Sequence, residues 1–146
     1  YKKIPSKIQA ALFLKILAFN NDINKGGDII LHVINSPGFA SEIKKSVGKK
    51  IGKSKLATIN ESAELPSQKP SVIYIGDPAK LDEVIRYTRS NHLLSITGLP
   101  DLVAKGVTLG LGAAGGRPKI LLNVSASKDE SIHWSPAIYK ISTIIK

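Results

Sequence analysis

Residues 93–124 read LLSITGLPDLVAKGVTLGLGAAGGRPKILLNV, and how this stretch is parsed decides the fold. Leu93 to Thr97 is a short apolar run that reads as a strand. Pro100 opens a helix of one or two turns, and Gly106 ends it. Residues 110–115 then spell GLGAAG, a literal match to the dinucleotide fingerprint G-x-G-x-x-G. That fingerprint holds a pyrophosphate only where it follows a strand and opens a helix whose first amides face the ligand. Here Gly116, Arg117 and Pro118 follow, and then KILLNV, which reads as a second strand. The segment therefore predicts a β-hairpin. A four-residue loop, Ala113 to Gly116, pairs Leu109 with Ile120 and Val107 with Leu122, with apolar partners on one face. Gly110 and Gly112 share the opposite face, where missing side chains suit close approach of another backbone or a ligand.

On the N-terminal side, apolar strands alternate with helices. Ser6 is placed to cap a helix running to about Phe19, with Ile8, Ala11, Leu12, Ile16 and Phe19 as its stripe. Phe13, Leu14 and Leu17 make this helix apolar over more than one face, so it is either buried on two sides or part of an interface. Asn20, Asn21 and Asp22 stop it, and Gly26-Gly27 turn the chain into DIILHVI, a strand of the kind buried in a parallel sheet. Ser36-Pro37 starts a second helix over Phe39 to Val47. Leu56 to Ile59 is a short strand, residues 61–69 are polar and irregular, and VIYI at 72–75 is another buried strand. Asp77 caps and Pro78 begins a helix over residues 79–90, with Leu81, Val84, Ile85 and Thr88 facing inward. Ser125 to Ser131 forms a helical turn. A last helix begins near Ser135-Pro136 and carries Ile138, Ile141, Ile144 and Ile145.

This order predicts a single α/β domain over residues 1–146: a mostly parallel sheet, helices on both faces, and an antiparallel C-terminal hairpin. A chain of 146 residues is long enough for a substantial core. It has no cysteine, which excludes disulfides and thiolate metal sites, and no methionine, so Tyr1 marks a trimmed chain. Removal of a signal peptide would explain that beginning, and simple N-terminal truncation is the plainer alternative. The net charge is +10, carried by lysine apart from Arg86, Arg89 and Arg117. Lys44, Lys45, Lys49, Lys50, Lys53 and Lys55 form the densest run. Such a run suits anionic membranes or nucleic acid, but a solvated lysine-rich surface is the plainer reading of it. Lysine lacks the planar fork of arginine, and no base-stacking aromatic lies in the run, which counts against specific nucleic-acid recognition.

The layout resembles the YfiR-like family of bacterial periplasmic proteins over nearly the whole chain. The resemblance rests on AALFLKILAF in the first helix, VIYI before a capped helix, LLSITGLPDLVAKGVTLGL, KILLNVSAS and the tail IHWSPAIYKIS. Asn123 falls where that family has an asparagine near the end of its last strand, and Ser135 where it has a serine opening the final helix. Asn20-Asn21-Asp22 stands where the family commonly has a Trp-Pro pair, and the cysteines some members use for redox control are absent. The resemblance implies an extracytoplasmic regulator. Some members restrain a membrane-bound diguanylate cyclase and others occur fused to or beside sensor proteins, so the resemblance implies a membrane-anchored signalling protein as partner.

The residues offer little for catalysis. His32, His92 and His133 have no metal-ligand spacing, and neither a nucleophile elbow nor a P-loop is present. No catalytic residue, metal site or cofactor is expected, and the protein reads as a non-enzyme, the alternative being a small-molecule binding protein or enzyme that uses the strand-end cleft. A ligand, if bound, belongs in the loops after the parallel strands: Asn35, Ser36 and Gly38; Gly76 and Asp77; Thr97 and Gly98. Helix N-termini there suit an anion or nucleotide, although ordinary capping explains the same residues. Leu12, Phe13, Ile16 and Leu17 are the expected protein interface, facing a partner or a second copy in a homodimer. Peripheral contact with an anionic membrane through the lysine run is the third expectation.

Overall fold

The computed structural model describes residues 1–146. In chain order its elements are α1 (Ser6–Leu17), β1 (Gly27–Ile34), α2 (Pro37–Lys44), β2 (Lys50–Ile51), β3 (Ser54–Ser62), β4 (Val72–Ile75), a 3₁₀ turn (Pro78–Lys80), α3 (Leu81–Asn91), β5 (Leu94–Thr97) and α4 (Asp101–Ala104). Then follow β6 (Leu109–Ala114), β7 (Arg117–Asn123), α5 (Val124–Asp129), α6 (Ile138–Ile141) and β8 (Ser142–Ile145). All eight strands join one sheet in the order β2-β3-β1-β4-β5-β6-β7-β8. Pairing is parallel from β3 through β6 and antiparallel at β2–β3 and β6–β7. The predicted α/β architecture is therefore the one observed.

Alternation along each strand separates two cores. Leu31, Val33, Tyr74, Ile96 and Leu109 face α1 and α2. Ile34, Ile73 and Ile75 point to the other face, against Val84 of α3 and Leu102 of α4. Phe39 stacks on Tyr74 with ring centroids 3.9 Å apart, and Phe13 meets both edge-on at 5.9 and 6.2 Å. This aromatic trio locks α1 to α2 and to β4, a geometry that adds to its buried area.

Five details differ from the sequence-based expectations. Ser6 lies inside α1 and caps nothing; Pro5 occupies the N-cap position. The buried stripe of α1 is Gln9, Ala10, Phe13, Ile16 and Leu17, which leaves Ile8 and Ala11 exposed.

The hairpin turn has two residues instead of four. Gly115 and Gly116 both take positive φ (58° and 75°), the twist that suits a two-residue turn between right-twisted strands. Leu109 therefore pairs with Leu122, and Leu111 with Ile120. The slip of two residues keeps every side chain on its expected face. Pro118 is tolerated opposite Ala113 because both backbone groups of Ala113 bond to Lys2.

The basic segment also holds structure: β2 pairs with β3, which extends from Ser54 to Ser62. Finally, the last helix stops at Ile141. Ser-Thr-Ile-Ile, 142–145, instead pairs in parallel with β7 from Ile120 to Asn123. An open sheet edge beside a β-branched segment favours strand over helix there.

Candidate functional site at the strand ends

The chain leaves β1 for β2 and β3 on one side and then crosses to β4 on the other, so the sheet order reverses at β1. Such a reversal opens a crevice beyond the C-terminal strand ends, where open α/β sheets bind ligands. Asn35-Ser36, Gly76-Asp77 and Thr97-Gly98 follow β1, β4 and β5 directly and converge there. Gly38 lies apart, inside α2, where an added Cβ would make only ordinary contact with Ser6 Oγ at 3.6 Å.

The polar side chains there are engaged by partners within the protein. Asn35 takes a left-handed backbone, φ 52°, and its Nδ2 donates to Asp77 Oδ2 at 2.9 Å. Asp77 Oδ1 accepts from the Ala79 N–H at 2.9 Å, capping the 3₁₀ turn as expected. The Ala79 N–H, then the Asn35 amide, hold the Asp77 carboxyl below its ordinary pKa. Thr97 Oγ1 donates to the Ile75 carbonyl at 2.7 Å and accepts from the Leu99 N–H at 3.0 Å. At Gly76 a Cβ would fall 2.6 Å from the Ile34 carbonyl oxygen and 2.7 Å from Ser36 Cβ, so only glycine fits between the loops.

Two residues that sequence reasoning missed complete this clasp. The Tyr74 hydroxyl donates to Gln9 Oε1 at 2.6 Å, and Gln9 Nε2 donates to the Ile4 carbonyl at 2.6 Å. An added Cβ on Gly98 would overlap both Gln9 Oε1 and the Tyr74 hydroxyl. Burial pushes the Tyr74 pKa up to about 12, partly offset by hydrogen bonds involving Ser36, Gly98 and Gln9. The available signal was Gln9 itself, a polar residue on the buried face of an apolar helix; its partner is 65 residues away.

A cavity of about 310 Å³ adjoins the strand ends, lined by Lys3, Pro78, Leu99, Pro100 and Lys105 among others. The largest depression, about 500 Å³, lies over β1 and β3, with His32, Asn60 and Ser62 in its lining. His32 is buried, and its Nε2 lies 2.8 Å from the Glu64 carbonyl oxygen. His92 takes a left-handed conformation at the end of α3, and His133 pairs with Asp22 at 3.1 Å. No group of three His, Asp or Glu is arranged to hold a metal ion.

A second polar cluster lies on the α3 face. Glu130, with no exposed surface, accepts from the hydroxyls of Thr88 at 2.7 Å and Ser95 at 2.6 Å, from the Ser95 N–H at 3.2 Å, and from Thr108. Desolvation raises its pKa, and the surrounding hydroxyls oppose part of that rise. The cluster ties the end of α5 to α3, β5 and β6.

Of the four residues expected at a protein interface, Phe13, Ile16 and Leu17 belong to the core beneath α1, and Leu12 is half-buried. Exposed apolar side chains gather instead near the C-terminal edge, at Tyr139, Ile141 and Ile144. No helix is long and apolar enough to cross a membrane.

The fold and clasp define a one-domain, mostly parallel α/β protein whose first two switch-point loops bond to each other, with β4 tied to the first helix beside them. The chain belongs to the YfiR/HmsC-like family, whose model matches residues 6–143. No curated protein matches it.

Proposed function

We propose that this domain is a non-catalytic regulatory module that acts in the periplasm through contacts with a membrane-anchored signalling protein, a diguanylate cyclase or a sensor kinase. Family membership over residues 6–143 supports the setting and the class of partner. The observation that carries the reading is the clasp. Asn35 bonds to Asp77, Tyr74 to Gln9, and Thr97 to the backbone of Ile75 and Leu99, so these polar side chains are spent on holding the loops and strand ends in place. The C-terminal edge supplies a surface suited to a partner. The outer side of β8 has no neighbouring strand, and Ile144 with nearby Ile141 and Tyr139 is exposed. An extended segment of the signalling protein adding to this edge would gain main-chain hydrogen bonds and bury those side chains.

The test is made in the native host. Deleting the protein should change cyclic di-GMP or sensor phosphorylation, and a photo-crosslinker at residue 144 should capture a membrane protein. Unchanged signalling together with no crosslinked membrane protein would remove the proposal.

A second reading places a small anion or nucleotide beside the strand ends. It is favoured by the cavity near Pro78 and Pro100, whose lining includes Lys3 and Lys105. Thermal stabilisation by phosphates or nucleotides, lost in Lys105→Ala, would support it; no stabilisation by any of them would dispose of it.

A further inference from the structure

The lysine run is folded into one corner of the molecule. Helix α2 ends at Lys44, and its C-cap is Lys45; the chain then turns through Lys49 into the β2–β3 hairpin. In that hairpin Lys50 stands directly across from Lys55. Directly opposed residues of an antiparallel pair project to the same face about 5 Å apart, and like charges so placed oppose pairing. The Lys53 N–H donates to the Asn24 carbonyl, which brings Lys25 to the same corner. All these lysines are exposed. Two carboxylates lie close by: Glu42, bound to Lys45 at 3.2 Å, and Asp28, the register neighbour of Lys55. Val47, 46% exposed, lies in the chain between Lys44-Lys45 and Lys49-Lys50.

Protection of a sheet edge calls for a lysine or two on the edge strand. It does not call for a like-charge pair across the ladder or for further lysines on α2 and before β1. We propose that this corner docks on the anionic surface of a lipid bilayer, lysines at the phosphates and Val47 at the acyl boundary. Clustered lysines gain affinity for such a surface additively, without shaped contacts. Nucleic acid is the weaker match, since residues 44–55 hold no arginine for forked phosphate binding and no aromatic for base stacking. The corner lies at the N-terminal ends of the parallel strands, where Gly27 pairs with Ser54. Docking there turns the strand-end clasp away from the membrane.

Flotation of the purified protein with vesicles tests this. Vesicles of phosphatidylglycerol mixed with phosphatidylcholine should carry the protein at a physiological salt of about 0.15 M. Pure phosphatidylcholine should not, and about 1 M salt should release it. Each lysine lost from the corner should weaken binding about fivefold. Lys49→Glu/Lys50→Glu/Lys53→Glu should therefore abolish flotation while its circular dichroism remains native. Lys7→Glu/Lys128→Glu/Lys140→Glu, with the same net charge, should keep most of it. Equal loss in the two triple variants would show that net charge alone acts and would overturn the proposal. So would equal binding to pure phosphatidylcholine, no binding to either vesicle, or retention on duplex DNA in preference to the anionic vesicles.

Discussion

The Oε2 of Glu130 accepts the Thr88 hydroxyl at 2.7 Å, although 42 residues separate the two in sequence and neither has exposed surface. The bond fastens the end of α5 beneath α3 and leaves a carboxyl group inside the protein. Buried groups of this kind are costly unless every polar atom finds a partner.

Glu130 should govern the pH dependence of stability. Its folded pKa is raised above the ordinary 4.5 by burial, so the folded protein keeps its proton over a range where the unfolded chain has lost it. The resulting stabilisation is complete below pH 4.5 and declines as pH rises through the folded value. Glu130→Gln cannot titrate, so the wild-type Tm should fall relative to the Gln variant as pH climbs from 4 to 8. Glu130→Ala should lose roughly 3 kcal/mol through stranded hydroxyl donors. Chemical denaturation across that pH range checks both.

Asp77 should show the opposite sign. Its carboxyl is held below the ordinary 3.8 by the Ala79 N–H and the Asn35 amide, so its contribution is present above that pH and is lost as pH falls through the folded value. Asp77→Ala should lower Tm at pH 7, with the gap to wild type closing toward pH 2. Asp77→Asn, which can still cap, should lie between them at pH 7. Thermal melts at both pH values decide this.

The glycine that opens the false nucleotide motif has a steric role. A Cβ on Gly110 would overlap Val103 Cγ2, which belongs to α4 beneath the hairpin. Gly110→Ala should cost about 1–3 kcal/mol through overpacking. Val103→Ala removes the obstructing methyl group, so the double variant should be more stable than the sum of the two single changes predicts. A double-mutant cycle in urea measures the coupling.

The opposed lysines should leave a trace in stability as well as in lipid binding. Lys50→Glu places an opposite charge across from Lys55 and should stabilise the β2–β3 hairpin by about 0.5 kcal/mol at low salt. That gain should shrink near 1 M salt, where the screening length falls to about 3 Å. A loss of stability at low salt would show that the two ammonium groups do not repel in the folded state.

Sequence by itself determined the alternation of strands and helices, the Asp77-Pro78 helix start, and the hairpin hidden behind G-x-G-x-x-G. Those features are set within a few residues, by side-chain periodicity, by a carboxylate two residues from the N–H it caps, and by glycines at positive φ. Sequence also placed three loops together at the strand ends, because parallel strands carry their following loops to one side.

Tertiary structure alone decided the rest. Ser-Thr-Ile-Ile at 142–145 became a strand because β7 offered a free edge, which no local pattern records. Gln9 met Tyr74 across 65 residues, and Glu130 met Ser95 across 35. The over-apolar face of α1 found its partners in Phe39 and Tyr74 of this same chain. A buried hydrogen bond or a ring contact depends on which distant segment folding brings alongside, and chain periodicity carries no record of that neighbour.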